Sequence, residues 1–471
     1  MSLDPVFLGG LPGQRQFRCL SGRPAGRHLV LVDFRVGAGG SRCDGADGPT
    51  AAIAGAGGGG RVTLLLRRLR LLAIAMLGAV TFLFDSVLLA FLRPGRLPDP
   101  KERPLCLLIR LDRIGDVVLW LPAARLVADD RRRKGLSVIA VVADDVAGLA
   151  RASALFDDVF AIDRLRFRLD PLYRLRQLRK VGRFPATEAI HPVWSRALPL
   201  GDAVVRFTGA PARIGWNGGR DNMTRLGRWL GNRGYTRLIA GPSEPVPETV
   251  RNEDFLKGLG LAGLPADVKR PLFYPSGLPG TGPSLPERYI VVVPGASFPG
   301  RRWPLARFAD IIAALHHATG LPAVICGTKP DGALARAILA RLSAPARPSD
   351  LTGRTDLADL IPVIGGATLL LSNETAAIHM AALLGTPAVC IAGGGFFGRF
   401  IPYGPSSLMQ YRPPAVAVHR MPCFRCNWRC PFPPGEEGAM PCIAAVTVDE
   451  VLALALEQLD RVPATGDGRR P

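Results

Sequence analysis

From residue 105 onward, apolar runs of strand length alternate with longer segments of helical pattern. Residues 105–112 (LCLLIRLD) and 136–142 (LSVIAVV) are mainly apolar runs of strand length, with a short one at 158–162 and a weaker candidate at 187–191 (TEAIH). A helix is predicted from about 117 to 127, with Pro122 inside or near its start. The alternation returns at 289–293 (YIVVV), 321–326 (LPAVIC), 367–371 (ATLLL) and 388–392, with helices predicted from Pro304 to about 318, over 357–364 and over 375–384. Strands covered on both faces read as continuous hydrophobic stretches, so the pattern predicts βα units around mainly parallel sheets. Residues 206–236, glycine-rich and basic, read as a loop suited to an anionic acceptor, with Arg213, Arg220 and Arg225 as contacts or simply as a solvated face; 253–261 reads as a connecting helix.

The first hundred residues break the pattern. Residues 1–60 are Gly- and Arg-rich, cannot build a core, and read as disordered or as sequence upstream of the natural start. Residues 61–93 combine Leu and Arg with a 22-residue apolar stretch at 71–92 that holds one charge, Asp85. It is long enough to span a bilayer, yet Asp85 would be costly there; a helix lying on the membrane surface, or one docked on the body, accounts for it as well, and membrane association is the expectation. Residues 94–104 (PGRLPDPKERP) form a linker. Two domains follow, 105–285 and 286–460, with a tail at 461–471.

Three places carry candidate chemistry. After the first strand comes RIGDVV, where Asp116 suits either helix capping or the role of a carboxylate base at the strand ends. After 289–293 comes GASFPGRRWP, where Arg301 and Arg302 offer donors matched to phosphate oxygens. The segment 372–376 (SNETA) opens a helix at the end of an apolar strand. Its unpaired N–H groups, with Ser372, Asn373 and Thr375, suit a phosphate. No Walker sequence occurs, which argues against P-loop hydrolysis.

Four segments, RLDRIGDVVLWLPAA (110–124), VVVPGASFPGRRWPLARFADII (291–312), LTGRTDLADL (351–360) and LSNETAAIHMAALLGTPAV (371–389), resemble glycosyltransferase family 9, the heptosyltransferase-like enzymes. The resemblance implies a GT-B fold of two Rossmann-like domains with the active site between them. It also implies inverting transfer of a sugar, commonly heptose, from a nucleotide diphosphate to a lipopolysaccharide core or other envelope acceptor, at the cytoplasmic face of a bacterial inner membrane. Carried over by position, Asp116 is the base and Arg301 stands where a lysine is usual. Thr375 and His379 match the donor-binding D-T-G-x-x-H segment, which Arg302, Ser372 and Asn373 would complete. Glu374 replaces the usual Asp and Ala376 the usual Gly, which puts heptose in question as the sugar. No Asp-x-Asp pair occurs, so transfer without a metal is expected.

Cys423, Cys426, Cys430 and Cys442 form a second cluster, suited to a structural zinc, with free or redox-paired thiols and another cofactor as alternatives. The formal net charge of +20 favours anionic partners, here a nucleotide-sugar donor, an envelope glycan or lipid-linked acceptor and an anionic membrane surface. Nucleic acid is not expected, because no reading helix or aromatic platform is evident. A sugar-nucleotide-processing enzyme and a non-catalytic binding protein for an anionic polymer or nucleic acid remain as alternatives.

Overall fold

The computed structural model describes residues 76, 78, 80–89, 91, 103–219, 222–242, 244–261, 272–273, 285–405 and 411–461. All of them lie in the compact unit Thr63–Pro471. The Gly-rich segment 1–60, most of the linker and Arg220 lie outside the described residues, as does the tail beyond Arg461.

Two six-stranded sheets, all of whose pairings are parallel, make up the described chain. The first contains β1 (Leu105–Arg110), β2 (Ser137–Ala143), β3 (Asp158–Ile162), β4 (Ala186–His191), β5 (Ala212–Trp216) and β6 (Arg237–Ile239) in the order β3-β2-β1-β4-β5-β6. The second contains β7 (Ile290–Val293), β8 (Ala323–Ile325), β9 (Ser349–Asp350), β10 (Leu369–Asn373), β11 (Ala388–Ile391) and β12 (Ala415–Ala417) in the order β12-β11-β10-β7-β8-β9. Both are the doubly wound arrangement. The strand order reverses between β1 and β4 in one sheet and between β7 and β10 in the other, and the crevice beyond the strand ends at such a switch point is where these folds take ligands.

β1 is buried along its whole length because neighbours flank it on both edges and helices cover both faces. Cys106 and Leu108 point into a cluster with Val117, Val118 and Leu121 of the helix Ile114–Arg133, whereas Leu105, Leu107 and Ile109 point into one with Phe167, Leu178 and Val205. The first cluster also includes Ala377, Ile378 and Ala381 of the second domain, so one apolar core is continuous across the two domains.

Several expectations are corrected. The helix after β1 runs from Ile114 to Arg133, past the predicted end, because Arg131 reaches Glu188 of β4 with two bonds of 2.5 and 2.9 Å, so that its charged last turn is half sheltered. The basic stretch 206–236 is not a plain loop; it contains β5 and the helix Arg225–Asn232. Gly215 lets β5 pass under Tyr235, whose ring would lie 2.4 Å from an added Cβ. Arg213 is committed to the fold through the carbonyls of Gly234 and Ala210, and Arg225 is exposed at the helix start.

Residues 80–89 are helical and dock on the first domain. Asp85, 1% exposed, is held by Arg174 through bonds of 2.8 and 2.5 Å, which removes the cost of its charge without exposing it. Among the described residues no helix is long and apolar enough to cross a membrane.

Candidate functional site

The candidate site lies where the two switch points meet. The helix Ile114–Arg133 begins four residues after β1, and the helix Ala376–Leu384 begins three residues after β10. They pack against each other at their N-terminal ends: a Cβ added to Gly115 would stand 3.2 Å from His379 Cδ2 and 3.9 Å from Ala376 Cα. A side chain at 115 would press on the His379 ring, so glycine allows this close approach. Asp116, one residue on, is thereby held at the crevice between the domains.

Asp116 keeps partial access to solvent, yet its carboxyl is pushed up to about 7. Burial is the largest cause, followed by the negative fields of Asp112 and Glu248; Arg110 and Arg399 oppose it. These groups form a network. Arg110 grips Asp112 at 3.0 and 3.1 Å and stands 3.5 Å from Glu248, while Arg399 approaches Glu248 from the second domain at 3.9 Å. The backbone N–H of Glu248 also donates to the carbonyl of Arg399 at 2.7 Å. A carboxyl that titrates near neutrality and stays accessible is chemically suited to take a proton at working pH.

On the facing domain, Thr375 is the N-cap of the helix Ala376–Leu384 but makes no side-chain cap bond; its hydroxyl lies 3.1 Å from that of Ser372 instead. The first-turn N–H groups therefore keep the electropositive opening uncapped. At the other end Gly385 adopts φ 73° and lets the Thr386 N–H close back on Ala381, which terminates the helix before Pro387. Ser372 is fully buried and donates to the carbonyl of Val293, and Asn373 ties β10 to the β7 loop. Its amide donates to the carbonyls of Pro294 and Gly295 and accepts from the Trp303 N–H. Asn373 thus shapes the loop that carries Arg301.

Arg301 donates to the Glu374 carbonyl at 2.7 Å and to Ser297 at 3.2 Å, and its guanidinium lies 5.3 Å from the Trp428 ring and 5.7 Å from that of Phe396. Arg302 is half-buried beside it, and its Nε, like that of Arg301, makes no hydrogen bond among the described residues. The Glu374 side chain is 5% exposed, and both carboxylate oxygens lack a hydrogen-bond donor; the nearest cation is Arg301 at 3.7 Å. Burial pushes it up to about 7 against the pull of Arg301 and Arg399. Buried carboxylate oxygens without donors are exceptional, and a polyhydroxylated ligand would satisfy them. His379 is buried, faces Gly115 and pairs through Nδ1 with the Tyr403 hydroxyl at 2.8 Å. Burial and Arg301 lower it to about 3, so it is a neutral imidazole at ordinary pH.

Arg399, Phe396 and Tyr403, all on the loop after β11, and Glu248 escaped the sequence reading. The triplet Gly393–Gly395 was the available signal. An added Cβ at Gly393 or Gly395 would fall within 2.6 Å of Trp428, and one at Gly394 within 2.4 Å of Phe424, so these glycines seat the cysteine-bearing segment. That segment turns sharply, with Arg425, Asn427 and Trp428 all at positive φ, and brings Trp428 over Arg301. Its four cysteines are free thiols. Cys442 is buried, accepts a bond from the Gly394 N–H, and is raised by burial and by the fields of Cys430, Cys423 and Cys426. The thiols are neighbours, but among the described residues no group of three or more His, Cys, Asp or Glu side chains is arranged to hold a metal.

Residues 271–419 match the model of glycosyltransferase family 9 (heptosyltransferase). Lipopolysaccharide heptosyltransferase 2 of Escherichia coli K12 is 25% identical over 222 residues, covering 44% of this chain and 57% of that protein, so the sequence match spans little more than half of that curated relative. Family 9 glycosyltransferase from Veillonella parvula has the same fold, with a TM-score of 0.55 at 16% identity over 76% of this chain and 98% of its own. So has the E. coli heptosyltransferase WaaC with ADP-2-deoxy-2-fluoro heptose, at 0.53 and 17% identity over 75% of this chain and 99% of its own. The family match lies on the domain that carries Arg301 and the helix opened by Thr375, and the fold likeness extends to the domain that carries Asp116. Over residues 271–419 the chain is similar in sequence to glycosyltransferase family 9, and over both domains it has the fold of the solved members.

Proposed function

We propose that this protein is an inverting glycosyltransferase that moves a sugar from a nucleotide diphosphate to an envelope glycan or lipid-linked acceptor of the lipopolysaccharide class, at the cytoplasmic face of a bacterial inner membrane. The observation that carries this is the contact of Gly115 with His379 and Ala376, which sets a carboxyl of neutral-range acidity in one domain against the uncapped helix opening in the other. The two E. coli proteins named above are heptosyltransferases, and the bound molecule named for one of them is an ADP-heptose analogue, so ADP-heptose is the donor proposed first.

In this reading the acceptor hydroxyl oxygen attacks the anomeric carbon on the face opposite the diphosphate, and Asp116 takes the hydroxyl proton. The bond from the anomeric carbon to the phosphate oxygen breaks, its electron pair leaves with the nucleoside diphosphate, and the configuration inverts. Arg301, with Arg302 and the N–H groups after Thr375, stabilises the charge that grows on the departing phosphate. Glu374 accepts from sugar hydroxyls through the oxygens left without donors, and Ala376 narrows the approach to the helix opening. Neutral His379, fixed by Tyr403, donates through Nε2 rather than as a cation. No step requires a metal.

Screening ADP-, UDP- and GDP-sugars for binding and for acceptor-dependent transfer tests the assignment. ADP-heptose binding followed by transfer with inversion is expected. Isomerisation or hydrolysis of the donor with no need for an acceptor would reject it in favour of a sugar-nucleotide-processing enzyme. Salt-sensitive oligonucleotide binding without transfer would reject it in favour of a binding protein.

Structural zinc held by Cys423, Cys426, Cys430 and Cys442 is a separate proposal. It is supported by four free thiols close enough to act electrostatically on Cys442, and closure around the ion would draw them into a tetrahedron. Metal analysis of protein purified without oxygen is expected to give about one zinc per chain. Zinc-free protein with Trp428 fluorescence unchanged by added zinc would reject it.

A further inference from the structure

The helix over 80–89 buries its polar residues and leaves a row of apolar ones uncovered. Its polar positions face the protein: Thr81 and Asp85 are buried, Asp85 pairs with Arg174, and Ser86 accepts from Arg206 at 3.1 Å. Arg174 uses its remaining donors on the carbonyls of Phe167 and Pro199, so the attachment is polar and specific. Leu88 and Leu89 pack beside these polar groups on the first domain's core, and the Phe82 ring lies under Arg206, but five apolar positions face outward. Met76, Val80, Leu83, Val87 and Phe91 are 49–80% exposed, and their spacing of four, three, four and four residues makes a single stripe along the outer face. An ordinary docked helix does the reverse.

The stripe has apolar neighbours. Arg174, which holds Asp85, belongs to the helix Pro171–Val181, and Leu172 at its start is 64% exposed. The adjoining helix Arg164–Leu169 exposes Leu165 and Leu169. Exposed arginines are interleaved with them at 166, 168 and 176. These helices cover the face of the first sheet lined by Leu105, Leu107 and Ile109, opposite to the face covered by the helix Ile114–Arg133.

We propose that this face is a monotopic docking surface for an anionic lipid bilayer: the stripe enters the acyl boundary while the arginines meet lipid phosphates. Charge complementarity selects the occupant. A row of apolar side chains bordered by exposed guanidinium groups matches the layered chemistry of an anionic membrane surface. The Asp85–Arg174 pair keeps the one acidic residue of the helix out of contact with lipid. The inference gives the proposed transferase its partner surface, but binding to vesicles is read without any transfer, so failure of one reading can be told from failure of the other.

The test is flotation of the full chain with vesicles of phosphatidylcholine, with and without phosphatidylglycerol. Wild type is expected to float with the anionic vesicles and to lose binding as salt is raised. The double variant Leu83→Glu, Val87→Glu, both exposed positions, should bind about tenfold more weakly or less while melting at the wild-type temperature; Arg166→Ala with Arg168→Ala should lose the preference for phosphatidylglycerol. Floating of the glutamate variant equal to wild type would overturn the proposal. So would equal binding to both vesicle types, or a concentration-dependent dimer of wild type that the glutamate variant abolishes without any vesicle binding, since a second copy would then cover the stripe.

Discussion

Replacing Asp116 by Asn is expected to lower acceptor-dependent transfer by about 10²- to 10⁴-fold while nucleotide-sugar binding stays near wild type. The substitution keeps the shape and the helix start but cannot accept the hydroxyl proton. The neighbouring charges sharpen the expectation. Asp112 and Glu248 raise the Asp116 carboxyl, and asparagine removes a like charge from that group, so stability should not fall. The sign follows from linkage. A carboxyl raised to about 7 in the folded chain makes ionisation unfavourable to folding, at a cost that accrues between the unfolded value near 4 and about 7 and stays constant above. D116N should therefore be relatively more stable than wild type above pH 7 and about equal to it below pH 4. Turnover left unchanged by D116N would remove Asp116 from the role of base, whatever its position.

The second large effect is expected at Arg301. Truncation to Ala removes the guanidinium bonded to the Glu374 carbonyl and Ser297 and packed against Trp428 and Phe396. It also leaves the buried Glu374 without its nearest cation. Loss of about 10²- to 10³-fold in kcat is the scale for removing one donor aimed at growing transition-state charge. Lysine at 301 should recover part of it, because a cation returns without the forked geometry. Isothermal titration with nucleoside diphosphate alone separates the roles. R301A should weaken diphosphate binding and D116N should not; equal binding by both variants would take Arg301 off the phosphate.

Much of this arrangement is legible in the sequence because buried parallel strands announce themselves. The runs at β1, β7, β10 and β11 are apolar up to their last one or two residues, and their ends and the turns after them carry the polar residues that the fold brings to the crevice. What escapes has a physical reason in each case. The charged end of the helix Ile114–Arg133 looks like loop until Glu188, more than fifty residues on, supplies a partner for Arg131. Arg399 and Tyr403 follow three glycines in a segment with no period to read, and their importance rests on contacts with Ser195, Glu248 and His379 far away in the chain. Asp85 shows the opposite failing: as sequence it is one charge in an apolar stretch, and only the fold reveals Arg174 waiting for it.

The departures from the family pattern also change meaning once placed. Glu374 lies buried, with both oxygens lacking donors, rather than reaching solvent. Ala376 sits where Gly115 approaches from the other domain, its Cα 3.9 Å from where a Cβ on Gly115 would stand, so it lies in the contact between the two helices as well as at the opening. Both bear on which sugar fits.

Asp116 and Glu374 each titrate near 7, so the pH dependence of kcat/KM discriminates between them. The wild-type enzyme should gain activity with rising pH through a single ionisation near 7, and Glu374→Gln, whatever its loss in rate, should keep that limb. A wild-type profile flat from pH 5 to 9, or a limb abolished by Glu374→Gln, would contradict a mechanism in which the first domain supplies the base.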